Sequence, residues 1–451
     1  MSAQIRYVTD VAYITSFTPE LGPEWLDLVA TINGFAAPDR SRRFAWCELG
    51  CGRGMTSTIF AATHPAGSFH GVDAMVEHVE HARDVAMRAG VGNLTFHALD
   101  FEKARDLPLP QFDYIVAHGV YAWIDEAAAA SFRRFIDRHL ARGGLVYVSY
   151  NAMPGWAVDL PFQHLVYAMA AFESGNSIAR FAAVAEKCKA LHAAGALSLR
   201  QSLIATELAE EKIKRPPAYF AHEYLAPAWH PLYVSEVRKA MGEIGLEPIG
   251  SATLRDNFDS FVLRQAARDA LAKIEDPDLR ELTRDYFMFQ RFRRDVYGRA
   301  PERLDDDERE ARLLASDFTL RQPAEKVEYQ MATEAGTVKF DNPVARKIVA
   351  VLADGARPLE ACEDDPQDLI ANALALASAG VIAPVAAKPA DVARLNATIL
   401  DVLDAAKEPT FHVLPRGTAL RFEGDFLVAR RDQRPVGAEM EPWLALLSKL
   451  G

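Results

Sequence analysis

Residues Phe44-Ala45-Trp46-Cys47-Glu48-Leu49-Gly50-Cys51-Gly52-Arg53-Gly54 constrain the fold more than any other stretch of the chain. An apolar run ends on an acid, and a turn with glycine at every second position opens a helix predicted over 55–63. Glycine tolerates positive φ and lets a ligand approach the backbone closely. The free N–H groups of such a turn, with a helix N-terminus behind them, make a polar cradle at the carboxyl end of the strand. A dinucleotide-binding fingerprint would place its third glycine at position 55, which is Met55. An ordinary tight strand-to-helix turn shows the same local pattern, so the spacing downstream has to decide.

Downstream, strands and helices alternate. Strands are predicted at 44–48, 68–72, 94–98, 112–116 and 145–149, and helices at 55–63, 76–89 and 126–140, with Arg142-Gly143-Gly144 as a helix stop. Alternation of this kind implies a parallel sheet with right-handed crossovers and a ligand at the carboxyl ends of its strands. Polar groups recur at those ends: Asp73 and Ala74 after the second strand, Asp100 and Phe101 after the third, His118 and Gly119 after the fourth. Asp73 read alone is equally a helix N-cap, and Asp100 a turn aspartate.

After the fifth strand the order breaks. Tyr150-Asn151-Ala152-Met153-Pro154-Gly155-Trp156 is a turn, and helical sequence runs over about 161–214. A helix at 233–242, a strand at 245–249 and a last, antiparallel strand at 257–264 complete the expected sheet. The first domain is therefore expected to span 1–266, with a helical insertion of about 157–229 roofing the strand ends. Ahead of it, Tyr7, Tyr13 and Phe17 are read either as packing or as a lid.

Residues 267–320 are expected to form a charged helical connection. Within it, 289–294 reads as a buried stripe at helical spacing, and Asp305-Asp306-Asp307-Glu308 as solvated acids opening a helix. From 321 to 451 the chain changes character, with helices at 342–352 and 366–379, a strand at 380–384, an Ala/Pro linker at 386–390 and a hairpin within 411–428. This resembles a small winged-helix-like domain, read as an interaction or dimer module. With 50 Lys and Arg against 62 Asp and Glu the net charge is −12, which argues against wholesale phosphate-backbone binding and for no nucleic-acid partner. The four cysteines, Cys47, Cys51, Cys188 and Cys362, suit a reducing, cytoplasmic setting and packing rather than a metal. No apolar run is long enough for a membrane span and no signal pattern opens the chain.

The acid-x-Gly-x-Gly-x-Gly pattern beginning at Glu48, together with the acids at the next strand ends, resembles the class I S-adenosylmethionine-dependent methyltransferases. The resemblance implies an α/β, Rossmann-like seven-stranded class I methyltransferase sheet. His118-Gly119-Val120-Tyr121-Ala122-Trp123 and the 150–156 turn resemble bacterial methyltransferases that carry a methyltransferase regulatory domain. His222-Glu223-Tyr224-Leu225, and Arg284-Asp285-Tyr286 with Arg291-Phe292-Arg293, resemble parts of that second domain. The best understood of these relatives are rickettsial protein-lysine methyltransferases acting on outer-membrane proteins. They usually carry Thr where this chain has Ala152.

From the resemblance, S-adenosyl-L-methionine is the expected cofactor, bound by Tyr7, Tyr13, Glu48, Gly50, Cys51, Gly52, Gly54, Asp73, Ala74, Asp100, Phe101 and His118. Asp73 is expected on the ribose hydroxyls, Asp100 on the adenine amino group and Phe101 on the ring. The expected acceptor is a protein lysine. A small-molecule amine or hydroxyl, or a non-catalytic cofactor-binding role, remain the alternatives. Methyl transfer from a sulfonium needs in-line positioning, exclusion of water and a deprotonated amine, and a dry aromatic pocket favours all three. Tyr121, Trp123, Tyr150 and Trp156 are the candidates to line it, His118 or Tyr150 to accept a proton, and Asn151 to orient the acceptor. His222-Glu223 lacks the second histidine of a zinc helix, since position 226 is Ala226, and is read as a structural brace.

Overall fold

In the computed structural model of the chain, the described residues are 8, 10–11, 17–212, 217–385, 393–406, 420–423 and 426–429. Tyr7 and Tyr13 lie outside them, as does the 386–390 linker. Seven strands form the central sheet: Ala45–Leu49 (β1), Ser68–Asp73 (β2), Leu94–Ala98 (β3), Phe112–Ala117 (β4), Leu140–Asn151 (β5), Leu246–Ser251 (β6) and Phe292–Arg299 (β7). Their order is β3-β2-β1-β4-β5-β7-β6, with β1 to β5 parallel and β7 antiparallel to both its neighbours. The order reverses between β1 and β4, which opens a crevice at the carboxyl end of β1.

Alternate side chains of β1 enter opposite cores. Trp46 is fully buried on one face and donates its indole N–H to the Leu21 carbonyl at 3.0 Å, while Cys47 and Leu49 pack on the other. Helices Pro23–Ile32 (α1), Met55–Thr63 (α2), Val76–Ala89 (α3), Phe101–Arg105 (α4) and Glu126–His139 (α5) accompany the first five strands. The sheet-and-helix alternation read from sequence therefore stands, with α2 and α3 at their predicted bounds.

Two boundaries need correction. The Arg142-Gly143-Gly144 segment belongs to β5, which follows α5 directly at Leu140; Gly143 takes φ 77° where the pairing with β4 is irregular. The seventh strand is Phe292–Arg299 rather than 257–264. Asn257 folds its amide back onto Ser251 N (2.8 Å), Ser251 O (2.8 Å) and Leu254 O (3.0 Å), closing a 3₁₀ turn over Leu254–Asn257 where a strand was expected. The sheet thus extends past 266, and 289–294 leads into a strand rather than along a helix. Its alternation is masked in the sequence because Arg293 and Asp295 are buried as ion-paired charges.

Between β5 and β6 the chain forms a lobe of helices Leu160–Ala170 (α6), Ser177–Ala193 (α7), Leu197–Gln201 (α8), Leu203–Ala209 (α9) and Pro217–Leu225 (α10), followed by Val234–Gly242 (α11). The lobe has its own core of Trp156, Phe162, Val166, Phe181, Val184, Tyr224 and Trp229. Asp159, fully buried, pins it: Oδ1 accepts from Ser202 Oγ at 2.6 Å and Oδ2 lies 2.7 Å from Arg291 Nη2. Helices Asp259–Val262 (α12), Gln265–Leu271 (α13) and Pro277–Met288 (α14) separate β6 from β7.

Beyond β7, Asp306–Ala315 (α15) starts at a capping box in which Asp305 accepts from the Glu308 amide at 2.8 Å, so the acidic run does open a helix. Strands Asp317–Leu320 (β8), Gln330–Thr333 (β9), Gly336–Lys339 (β10), Arg357–Pro358 (β11) and Ile382–Pro384 (β12) form a hairpin, β9–β10, and a three-stranded sheet, β11-β8-β12. Helices Pro343–Ala353 (α16) and Pro366–Ser378 (α17) fall where two helices are predicted; Ala393–Ala406 (α18) follows. A final hairpin pairs Leu420–Glu423 (β13) with Phe426–Ala429 (β14). The elements from α15 to α18 share one apolar core with α1, α3 and the sheet, through residues such as Leu26, Val29, Phe318, Leu376 and Ile399. Arg88 and Asp401, 2.9 Å apart, tie α3 to α18.

Candidate active site

A cavity of about 760 Å³ opens at the carboxyl ends of β1 and β4. The turn after β1 forms one wall through Gly50, Cys51, Gly52, Arg53 and Gly54. Gly54 takes φ 72°, and a side chain there would fall 2.5 Å from Ala82 Cβ and 2.6 Å from Phe96 Cζ, so glycine is required for α2 to pack on α3 and β3. Gly52 also has positive φ, 52°, yet a Cβ added there would meet nothing within 4 Å. Packing does not explain Gly52; its left-handed backbone does, and the space beside it is open. Asp73 holds the turn in shape, accepting from Gly52 N and from Met75 N, each at 2.9 Å.

Glu48, at the base of the turn, is buried and lines the cavity. Burial, reinforced by the Asp73 charge, pushes its carboxyl up to about 8, and Ser57 donates a short hydrogen bond to it. Cys47 and Cys51 are buried free thiols whose ionisation burial likewise pushes up, so neither is a poised nucleophile. No group of three or more potential metal ligands occurs among the described residues.

The other strand ends lie beside the cavity rather than in its wall. Ala74 is exposed at the end of β2. Asp100 caps α4, accepting from Lys103 N at 2.8 Å, and its half-exposed carboxylate lies 3.2 Å from Lys103 Nζ. Phe101 packs edge-on against Phe132 at 5.5 Å. His118 does line the cavity. Its Nδ1 faces the Tyr147 hydroxyl at 2.9 Å and the Ser149 hydroxyl at 3.2 Å. Burial, helped by the Arg294 charge, pushes the His118 pKa down to about 3. The ring is therefore neutral at physiological pH and too weak a base to hold a proton.

Of the aromatic residues expected around the acceptor, Trp123 and Trp156 line the cavity. Tyr121 and Tyr150 do not. Tyr150 alternates with Ser149 and Asn151 along β5, so it points into the opposite core and donates to Asp295 Oδ2 at 2.6 Å. Burial and the Asp295 charge hold that phenol protonated, which removes it as a proton acceptor. Tyr121 is buried in the same core against Phe132, its hydroxyl accepting from Arg133 at 2.8 Å. Asn151, buried, does reach the cavity and donates from Nδ2 to Glu223 Oε1 at 2.8 Å.

Glu223 is the site residue that sequence reasoning missed. The brace read for His222-Glu223 is present, since Glu223 ties the lobe to β5 through Asn151; what the sequence does not disclose is that Glu223 also lines the cavity. His222 Nε2 lies 3.0 Å from the Val11 carbonyl, whereas the buried Glu223 carboxylate lines the cavity and also accepts from Trp229 Nε1 at 3.2 Å. Tyr219, Phe220 and Tyr224 from the same helix complete that wall. The antiparallel β7 supplies a second missed group. Because Ser149 pairs with Arg294 and Asn151 with Phe292, the start of β7 comes to the ligand end of the sheet, and Gln290, Arg291, Phe292 and Arg294 line the cavity. Arg291 lies over the Trp156 ring at 4.5 Å and donates to the Gly155 carbonyl at 2.8 Å. The sequence carries no period-two signal for it, since Phe289 and Phe292 stand three apart and Arg293 and Arg294 are adjacent.

Residues 41–215 match a family model described as "methyltransferase domain", and residues 216–299 one described as "predicted methyltransferase regulatory domain". The uncharacterized protein sll1526 of Synechocystis sp. is 33% identical over 359 residues, which is 80% of this chain and 71% of that one. The uncharacterized protein RP789 of Rickettsia prowazekii is 31% identical over 134 residues, 30% of this chain and 24% of the other. Among solved structures, PKMT2 from Rickettsia typhi in complex with AdoHcy superposes with a TM-score of 0.63 at 20% identity, covering 84% of this chain and 78% of that one, a likeness of fold. No helix among the described residues is long and apolar enough to cross a membrane.

Proposed function

The chain belongs to the class I S-adenosylmethionine-dependent methyltransferases that carry a methyltransferase regulatory domain, and on that footing we propose that it methylates the side-chain amine of lysine in a protein substrate. The cofactor supplies a methyl group on a cationic sulfonium, which the amine attacks in line. The open Gly52 cradle, the Asp73 brace and the carboxyl of Glu48 suit a nucleoside linked to an amino acid, and the AdoHcy bound by the R. typhi protein accords with that. Asp73, Asp100 and Phe101, at the neighbouring strand ends, are the residues we assign to the ribose and adenine.

The acceptor arrives as an ammonium, since free lysine has a pKa of about 10.4. Trp123, Tyr219 and Tyr224 line the cavity with aromatic surface that attracts a cation, beside Trp156, whose ring carries Arg291. Glu223 draws the ammonium in and is the group placed to take up its proton, a role that neutral His118 and the buried Tyr150 do not suit. Asn151, bonded to Glu223, keeps that carboxylate oriented. The observation that carries the lysine reading is this buried carboxylate among aromatic walls, in the same cavity as the glycine turn. It suits a cation on a long apolar stem.

The test is incubation with methyl-labelled cofactor and a cell extract split into protein and small-molecule fractions. Label recovered as methyl-lysine after hydrolysis of the protein fraction supports the reading. Label confined to the small-molecule fraction would assign a small acceptor, and cofactor binding without transfer would leave a regulatory protein.

A further inference from the structure

Several charged side chains line the cavity; Arg255 is ion-paired with Glu334 and Arg291 with Asp159, whereas Arg294, on β7, has no ion-pair partner among the described residues. Its Nη1 donates to Thr253 Oγ1 at 3.0 Å, it hydrogen-bonds the Tyr147 hydroxyl, and its guanidinium lies over the Phe292 ring at 5.2 Å. Its Nε is buried without a hydrogen-bond partner. Among the described residues no carboxylate stands within ion-pair distance; Glu20 and Asp256 act on it from farther away. The adjacent Arg293 is opposite in every respect, being held by Glu281, Asp285 and Asp295.

A half-paired guanidinium whose Nε is buried is costly, and more so where a cationic sulfonium must also enter. A carboxylate that arrives on the same molecule as the sulfonium would pair with the guanidinium and offset its charge. We propose that Arg294 is the receptor for the α-carboxylate of the cofactor's amino-acid portion. This rests on the reading that the cavity binds S-adenosylmethionine.

The placement favours this source of carboxylate. Thr18 and Thr56 line the same cavity, and Thr18 N donates to Thr56 Oγ1 at 3.3 Å, which joins the approach to α1 to the first turn of α2, next to Gly54. Arg294 lines the same cavity as Thr18 and Thr56 and is held there by Thr253. A carboxylate between Arg294 and the first turn of α2 meets a guanidinium on one side and the positive end of a helix on the other. Glu48, under the same turn, is an acid for the amine on the same carbon. A lysine side chain within a protein brings no carboxylate of its own.

Calorimetry on the full chain separates the possibilities. S-adenosylhomocysteine is compared with 5′-deoxy-5′-(3-aminopropylthio)adenosine, which keeps the amine and lacks only the carboxylate. The native protein should prefer S-adenosylhomocysteine by roughly 10- to 100-fold, and Arg294→Met should bind the two ligands about equally. Arg294→Lys, which keeps a charge if the methionine variant fails to fold, should lose part of the preference while binding the amine analogue as the native protein does. Unchanged S-adenosylhomocysteine affinity in either variant, or an equal loss for both ligands, would overturn the assignment. A native protein that binds neither ligand would bring down the cofactor reading itself, and this inference with it.

Discussion

Asn151 Nδ2 donates to Glu223 Oε1 at 2.8 Å, so the last residue of β5 is joined directly to α10 of the inserted lobe. The bond crosses the cavity wall between the sheet, which carries the glycine turn, and the lobe, which carries most of the aromatic lining. It fixes the carboxylate that the proposed function places at the acceptor amine.

Replacing Glu223 by Gln keeps the size of the side chain and its bond to Asn151 but removes the charge and the proton-accepting oxygen. Methyl transfer should fall by roughly 10²- to 10³-fold, the usual weight of a positioned acid–base group. Affinity for S-adenosylhomocysteine should stay within about 3-fold. Steady-state rates and calorimetry on the same preparation check both.

Gly52 and Gly54 should behave differently on substitution by Ala. At Gly54 the new methyl would overlap Ala82 and Phe96, and the backbone is left-handed, so the fold should lose about 2–4 kcal/mol, read from denaturant midpoints. At Gly52 the methyl meets no protein atom within 4 Å. Stability there should fall by only about 1 kcal/mol, from backbone strain, while cofactor affinity is lost.

Glu48 should register cofactor binding as a proton. With its carboxyl pushed up to about 8 by burial, Glu48 is mostly neutral at pH 7. An ammonium brought against it would ionise it, so binding at pH 7 should release a proton, up to one per site. Calorimetry in buffers of different ionisation enthalpy measures the number, and Glu48→Gln should abolish the release. The same raised pKa makes a stability statement. The contribution of neutral Glu48 is fully present below pH about 4.5 and is lost as pH rises through about 8, so Glu48→Gln should flatten that part of the stability profile.

Arg293→Met should leave Glu281, Asp285 and Asp295 crowded around an apolar stem. In the native protein burial raises Asp285 to about 7, while the arginine charges around Glu281, Arg293 foremost, outweigh burial and hold it at about 2. Breaking such a cluster should cost about 3–5 kcal/mol at neutral pH. Without Arg293 the acids' folded pKa values rise, so the deficit should shrink as pH falls toward 5 and the carboxyls take up protons. Urea unfolding at several pH values tests the trend.

What the sequence disclosed and what it hid divide along a physical line. The strands β1 to β4 and helices α2 and α3 carry uninterrupted apolar periodicity and glycine punctuation, and they were readable almost to the residue. Strand β7 was not, because Arg293 and Asp295 are buried as partners and look like surface charges in a one-dimensional reading. Tyr150 was misjudged for a related reason. Its neighbours Ser149 and Asn151 face the ligand end, and the alternation of a strand sends Tyr150 the other way. Glu223 and Arg294 come to the cavity only through long-range pairing, of the lobe with β5 and of β7 with β5, and neither pairing leaves a local mark.

The most direct test of the whole account is a structure of the protein with S-adenosylhomocysteine bound. The account predicts the ligand across the carboxyl ends of β1 and β2, its ribose on Asp73, its carboxylate on Arg294 and its sulfur directed toward the Asn151–Glu223 pair. A ligand bound elsewhere, or one whose sulfur is turned away from Glu223, would contradict it.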